Sequence, residues 1–337
     1  MDIDIILDSH LSPNELKELG ILAEQNGIRG IWNSSYLDGR EPFTNMAALA
    51  AATSKIRLGP IALNAYEQHP FRIAMGLLTF NEITGGRAQT VIGGGGEVVM
   101  ALSIPFDKRV RVVHECLELV KGASGKRPFS YNGELYHIKD YDPYWATAPA
   151  PLVYAAANRP QMLRMSAGVA DGIMMSDLSP TLSKDAIDIV NKRLKEVDRN
   201  PKDFRINNFM AWYIYDDKEE ARREAKRWIG FRAMFRKYMM EEIIGDEDFN
   251  ILMAHMPQIY EMAVEGTDSV DGVPDSLLDV CVDKLTLTGD VNDLDHVIEH
   301  LIELKQAGIT ELSLELRKHV PQSIKLIGER VIPALRL

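Results

Sequence analysis

The sequence predicts an α/β fold, a closed (β/α)8 TIM barrel running as one domain over residues 1–337, and three observations predict it. Strand-type and helix-type segments alternate from the first residue, which implies a parallel sheet. Eight strand candidates occur, the number that closes such a sheet on itself. The alternation breaks once, between the seventh and eighth strands, where about a hundred residues replace the usual short unit.

The first strand is Ile3–Leu7, ending at Asp8-Ser-His10. Ser12 and Pro13 open a helix, with Glu15 three residues after the serine as in a capping box. That helix, Asn14–Gln25, carries Leu16, Leu19, Leu22 and Ala23 at helical spacing and stops at Asn26-Gly27. Ile28–Trp32 reads as the second strand, Phe43–Thr53 as an alanine-rich helix and Ile56–Leu63 as the third strand. A helix over Phe71–Ile83 ends at Gly85-Gly86 and leads into the fourth strand, Ala88–Ile92.

The second half repeats the rhythm. Lys108–Lys121 is a helix, and Phe129–Pro149, polar and Pro-bearing, is a loop or small hairpin. Leu152–Ala156 is the fifth strand, Gln161–Val169 a helix, Gly172–Met175 the sixth strand and Lys184–Val197 a helix. Arg205–Tyr215 is the seventh strand. Helices over Trp228–Glu242 and Phe249–Ala263, then an acidic loop, Gly266–Pro274, make an insertion over 228–284 suited to covering a site or forming an interface. The helix Leu294–Ala307, the eighth strand Glu311–Leu316 and a last helix, Gln322–Val331, stopping before Pro333, complete the chain.

Composition narrows the function. The 337 residues are 46% hydrophobic and 26% charged, which is ordinary globular usage. A net charge of −11, with no basic block, disfavours nucleic acid as a partner. No apolar run approaches membrane-spanning length, and Met1-Asp-Ile-Asp lacks the basic flank of a signal peptide, so a cytoplasmic location is expected. Cys116 and Cys281, far apart and without a CxxC, read as reduced core residues.

Chemistry in this fold belongs at the C-terminal ends of the strands. There the sequence places Asp8 and His10; Ser34, Ser35 and Tyr36; Asn64, Tyr66 and His69; Asn158 and Arg159; Ser176 and Asp177; Tyr213; and Arg317 and His319. No His/carboxylate set has metal-ligand spacing, and no GxSxG elbow or P-loop is present. After the fourth strand comes Gly93-Gly-Gly-Gly-Glu97. A run of four glycines is entropically expensive to order and suits a close approach of bare backbone to a ligand. It is not a dinucleotide fingerprint, because no acidic residue follows at the end of the next strand. A second βα turn, Ala155-Ala-Ala-Asn-Arg-Pro160, opens a helix with Arg159 at its mouth. Two adjacent helix starts with free amides suit a phosphorylated cofactor. The plain alternative is two tight turns without a ligand.

As a set, these blocks resemble the bacterial luciferase-like superfamily of flavin and deazaflavin oxidoreductases. Ile83-Thr-Gly-Gly-Arg-Ala88 followed by Gly93–Glu97 is similar to its SGGR…LGxGxG block. Ile56–Pro70 is similar to the third-strand block of its coenzyme F420-dependent, methylenetetrahydromethanopterin reductase-like branch. Val153–Ala157, Ala170–Gly172, Thr286–Asp290 and Ile324–Arg336 extend the likeness over most of the chain, weakest over Trp228–Lys284.

The resemblance implies a hydride transfer between coenzyme F420 and a small organic substrate, with FMN as the alternative cofactor. It implies a non-prolyl cis peptide at Ile61–Ala62 behind the cofactor ring. It assigns the cofactor to Ile61, Ala62, Asn64, Ser35, Gly94, Gly95, Gly96 and Ala157, with Asn158, Arg159 and Ser176 near its phosphate. Glu97 is the candidate proton donor, buried beside the ring with a raised pKa, or else only a helix cap. The family's dimerising habit implies a homodimer, and a flavin or F420 reductase is a possible supplier of reduced cofactor. Three departures stand out. Ser34-Ser35 replaces an Asp-His pair common in relatives, the first-strand acid of the reductase falls at Ile6 with Asp8 nearby, and Arg159 stands for a usual glycine. His10 is then the nearest spare imidazole, and Asp8 joins it as a catalytic candidate. Two rival readings are a reduced-FMN monooxygenase and a barrel that binds a flavin without catalysis. A metal-dependent hydrolase is more distant.

Overall fold

Alternation within the first strand sets the architecture. Ile3, Ile5 and Leu7 join the large core shared with the helices, whereas Ile6 joins Trp32, Val91, Tyr154 and Met174 in a separate inner cluster. A strand buried on both faces belongs to a sheet covered on both sides, as in a tube whose interior is filled by its own side chains. In the computed structural model, which describes residues 1–232 and 236–336, that tube is closed.

Its strands are β1 (Asp2–Leu7), β2 (Gly30–Ser34), β3 (Arg57–Ile61) and β4 (Gln89–Ile92). A hairpin of β5 (Phe129–Asn132) and β6 (His137–Tyr141) stands outside. Then follow β7 (Leu152–Ala156), β8 (Gly172–Ser176), β9 (Arg205–Ile214), β10 (Thr286–Gly289) and β11 (Glu311–Leu316). The parallel order is β3-β2-β1-β11-β9-β8-β7-β4, and bridges Leu58↔Ala88 and Leu63↔Ile92 join β3 to β4. Close approach there needs Gly59, since a Cβ on it would lie 1.7 Å from the Gln89 carbonyl oxygen.

An ionic plug fills the N-terminal end. Glu311 receives Arg29 at 2.9 Å, Arg205 at 2.8 Å and the Tyr154 hydroxyl at 2.8 Å. Asp4, fully buried, pairs with Arg29 and accepts the Trp32 indole N–H at 2.9 Å. Burial pushes the Asp4 carboxyl up, against the pull of Arg29. Side-chain networks at this end of such a barrel serve stability, leaving the opposite end for chemistry.

Arg87, part of the glycine-rich block before β4, is a staple. Its guanidinium donates to the carbonyls of Thr84 (2.6 Å), Ala50 (3.0 Å) and Thr53 (2.8 Å), tying the turn before β4 to the chain at residues 50–53. Replacing it with Met leaves those oxygens unpaired. A loss of about 2–3 kcal/mol in a denaturant titration is expected. A loss below 0.5 kcal/mol would show that water replaces it at no cost.

Most elements fall where the sequence places them, including the Ser12 capping box and the hairpin. Several do not. β2 starts at Gly30 rather than Ile28, because the Ile28 N–H is held by the Ala23 carbonyl at the preceding helix end. The helix expected over Phe43–Thr53 is two short helices, Pro42–Asn45 and Ala47–Ala52, with the Asn45 amide donating to Leu11 O and Asn33 Oδ1. The helix expected over Trp228–Glu242 is a 3-10 turn, Ile229–Phe231, and a short helix, Lys237–Met240; residues 233–235 lie outside the described residues. Phe249–Ala263 is split at His255 into Asp246–Ala254 and Met256–Glu265, because Pro257 cannot continue a helix. The last helix runs past Pro333 to Arg336, and a π-type turn, Ile327–Val331, accommodates the missing proline N–H. Helices Lys218–Arg227 and Asp275–Leu285 and strand β10, which extends the sheet beside β9, were not expected. Both cysteines are buried free thiols, and burial pushes the Cys281 thiol up to about 12. No described helix is long and apolar enough to cross a membrane.

Candidate active site

Continuing the inward alternation by two residues beyond the inner apolar cluster gives the ring at the C-terminal mouth. It consists of Asp8, Ser34, Ile61, Gly93, Ala156, Ser176, Ala211 and Glu315. The ring has two unlike halves.

The half formed by β3, β4 and β7 is bare. The Ile61–Ala62 peptide is cis, as the resemblance implies, and the Ser35 N–H donates to the Ile61 carbonyl at 2.9 Å. Beside it Gly93 donates to the Leu63 carbonyl at 2.8 Å. The nearest atoms to a Cβ on Gly93 would be Ala62 Cβ at 3.3 Å, Ala156 Cβ at 3.8 Å and Leu63 O at 3.9 Å. Around Gly93 the nearest side chains are therefore methyl groups, with Ile61 the one larger side chain of this half.

The other three glycines play different parts. Gly95 has φ +79°, and Gly94 lies against Arg109, its hypothetical Cβ 2.8 Å from Arg109 Cδ. Gly96 faces open space and caps a five-residue helix, Glu97–Ala101. Glu97 is therefore the first helical residue and not the cap. Its side chain is exposed at the rim, so the expected burial is not met.

The remaining predicted residues are placed as follows. Asn158 clasps β8: its amide donates to Ser176 O at 2.9 Å and its Oδ1 accepts Ser176 N–H at 3.0 Å. Ala157 is buried, its N–H on the Met174 carbonyl. Arg159 lies over the Tyr238 ring at 4.7 Å, at the start of the ten-residue helix Pro160–Val169. Asn64 closes an Asx turn, accepting from Tyr66 and Glu67 N–H at 3.1 Å each. Those two side chains hold backbone in place.

The half formed by β8, β9, β11 and β1 is charged. Arg232, from the insertion, sits between Asp177 (3.3 Å) and Glu315 (3.2 Å), all three nearly fully buried. Arg317 reaches Glu315 at 2.7 Å, and the Tyr36 hydroxyl donates to Glu315 Oε1 at 3.3 Å. Burial, then Glu315, pushes the Tyr36 phenol up to about 12. Asp177 adopts φ +57°, a rare conformation for a non-glycine residue, and accepts the Ser176 hydroxyl at 3.0 Å. Burial pushes its carboxyl up while Arg232 opposes. Glu315 and Arg232 were missed from sequence. The polar residues Glu311, Ser313 and Glu315 alternate with leucines in the eighth strand, and in a strand buried on both faces they had to point into the tube. Nothing local marks Arg232.

Asp8 and His10 lie at the rim beside Tyr36. The imidazole Nδ1 is 2.6 Å from Asp8 Oδ1, Nε2 is 3.1 Å from Asp38, and the ring stacks on Tyr36 at 6.2 Å. The hydrogen bond to Asp8 raises the His10 pKa above 6.5. A raised folded-state value means that the pair stabilises the protein below the unfolded pKa and that this is lost as pH rises through the folded value. Asp8→Asn is expected to bring the His10 titration, followed by NMR, back down toward 6.5. A titration that stays put would remove Asp8 as its cause.

A closed parallel barrel with one uncharged and one charged half around its C-terminal mouth is the arrangement of a barrel enzyme. The chain belongs to the luciferase-like monooxygenase family, whose pattern residues 3–311 match. It is 25% identical over 327 residues to 5,10-methylenetetrahydromethanopterin reductase of Archaeoglobus fulgidus, covering 96% of both chains. Over 184 residues it is 27% identical to an F420-dependent glucose-6-phosphate dehydrogenase of Microbacterium testaceum, covering 50% of this chain and 55% of that one. Its fold matches the coenzyme F420-dependent tetrahydromethanopterin reductase of Methanopyrus kandleri with TM-score 0.79, 22% identity and 99% coverage of each.

Proposed function

We propose that this chain is an oxidoreductase that transfers hydride between the deazaflavin coenzyme F420 and a small organic substrate. The observation that carries the reading is the corner where the cis Ile61–Ala62 peptide meets Gly93, whose nearest side-chain neighbours are the methyls of Ala62 and Ala156. The two relatives named as F420-dependent support the choice of cofactor. The cofactor supplies the hydride chemistry; the chain supplies orientation and electrostatics. Ile61, Ala62 and Gly93 back the ring, with Ser35 holding the Ile61 carbonyl. The Gly94–Gly96 segment and Ala157 flank it, and Asn158, Ser176 and Arg159 receive the phosphate side. Asn64 supports the turn beyond β3.

Glu97, at the exposed rim, is assigned proton delivery to the ring edge from solvent, and Asp8 with His10 form a second rim acid. Glu97→Gln then lowers turnover more than F420 affinity, and equal loss of both assigns it to binding alone.

Titration with F420 and with FMN, followed by tryptophan fluorescence, tests the cofactor. Micromolar binding of F420 but not FMN is expected. The reverse result replaces the reading with a reduced-FMN monooxygenase, which needs a separate flavin reductase. Binding without turnover of any reduced cofactor across a substrate panel replaces it with a non-catalytic barrel.

A further inference from the structure

Helix Lys218–Arg227 and the start of the insertion are fastened to the barrel by a ladder of regular pitch. Glu220 meets His319 at 3.0 Å, Glu224 meets Lys318 at 2.9 Å, Trp228 stacks on the Arg317 guanidinium at 3.5 Å, and Arg232 meets Glu315 at 3.2 Å. Each rung advances four residues along the insertion side. The ladder delivers Arg232 into the mouth and fixes the plane of Arg317.

Inside the mouth, charge is matched but hydrogen bonds are not. Two buried guanidiniums, Arg232 and Arg317, face two buried carboxylates, Asp177 and Glu315. Yet the Arg232 Nε–H, the Arg317 Nε–H and the Tyr213 hydroxyl are all buried without a hydrogen-bond partner among the described residues. Tyr213 lies on β9 two residues beyond Ala211, which pairs with Glu315, so it points into the same space. Three orphaned donors cluster around Glu315. Its Oε2, though 3.2 Å from Arg232 Nη2, makes no well-aligned hydrogen bond.

Buried donors left unpaired are costly, so a protein that keeps three together points to a ligand acceptor. The matched charge selects the kind. A full anion would leave an uncompensated negative charge in a desolvated site, and a cation would face three donors. A neutral acceptor fits both constraints. We infer that Arg232, Arg317 and Tyr213 form a donor cradle for the oxygen of a neutral carbonyl compound, or of the alcohol related to it. This rests on the reading of the mouth as a hydride-transfer site, and it makes Arg232 the insertion's specificity determinant. Donors placed where a carbonyl oxygen gains negative charge are also those that favour its reduction.

The test uses three molecules of one shape and different charge: isobutyramide, isobutyrate and isobutyramidinium. Binding to the full-length protein is followed by tryptophan fluorescence, to which Trp228 on Arg317 contributes, and by thermal shift, with and without F420. Isobutyramide is expected to bind at least about tenfold more tightly than either charged analogue. Tyr213→Phe should weaken the amide by about tenfold while its Tm stays level or rises, because an orphaned buried hydroxyl is removed. Arg232→Met should weaken the amide as much; should it fail to fold, Tyr213→Phe decides alone. Equal or tighter binding of isobutyrate or isobutyramidinium, or unchanged amide binding in Tyr213→Phe, overturns the cradle. Absence of F420 binding on the same samples instead overturns the hydride-transfer reading, because the amide selectivity is measured without it.

Discussion

Gly93→Val should abolish cofactor binding while leaving the barrel folded. A Cβ at Gly93 finds its neighbours at 3.3 Å and beyond, a distance the Ala62 methyl can yield to, and the backbone there does not need a positive φ. The two γ-methyls would project into the corner where the ring is placed. We expect F420 affinity to fall by about a hundredfold or more, some 3 kcal/mol, with a stability cost of about 1–3 kcal/mol. Fluorescence titration and thermal unfolding on the same preparation separate the two effects. A folded variant that keeps micromolar F420 binding would place the cofactor away from β4. Gly59 is the contrasting control: a Cβ there meets backbone oxygen at 1.7 Å, so Gly59→Ala should lose the fold.

Glu311→Ala should be the most destabilising change at the opposite end. Glu311 is about 1% exposed and is shared by Arg29, Arg205 and Tyr154. Removing it strands one buried and one half-exposed guanidinium and a buried phenol, of which only Arg29 retains another carboxylate, Asp4. Removing one partner from a buried ionic network costs about 3–5 kcal/mol. The denaturant midpoint should fall accordingly, with F420 affinity per folded molecule unchanged. A cost below 1 kcal/mol would mean that the plug is solvated and contributes little.

The contrast between these two glycine and glutamate positions shows how much could be read without coordinates. Periodicity made the strands legible because a side chain's face follows from its position: Ile3, Ile5 and Leu7 against Ile6 already imply burial on two sides. Capping chemistry made helix starts legible, as at Ser12, since the hydrogen bonds involved lie within three residues. The insertion resisted for the opposite reason. Its helices break at His255 before Pro257, and its 3-10 turn at Ile229–Phe231 is set by what it packs against, which no local pattern records.

The candidate site divides along the same line. The glycine run and the Ile61–Ala62 position were visible in the sequence, and the resemblance assigned the cofactor to Gly94, Gly95 and Gly96 without Gly93. Only the tertiary structure distinguished Gly93, beside the cis peptide, from Gly94 on Arg109, Gly95 at φ +79° and Gly96 in open space. It also moved Glu97 from a buried position to the rim and brought Asp177, Arg232, Glu315 and Arg317 together. By itself the sequence determined the closed parallel barrel and where its strands lie along the chain, because those follow from period and connectivity. The charge distribution across the mouth was decided by tertiary structure alone, because Arg232 and Glu315 lie far apart in the sequence and meet only where β9 and β11 pair side by side.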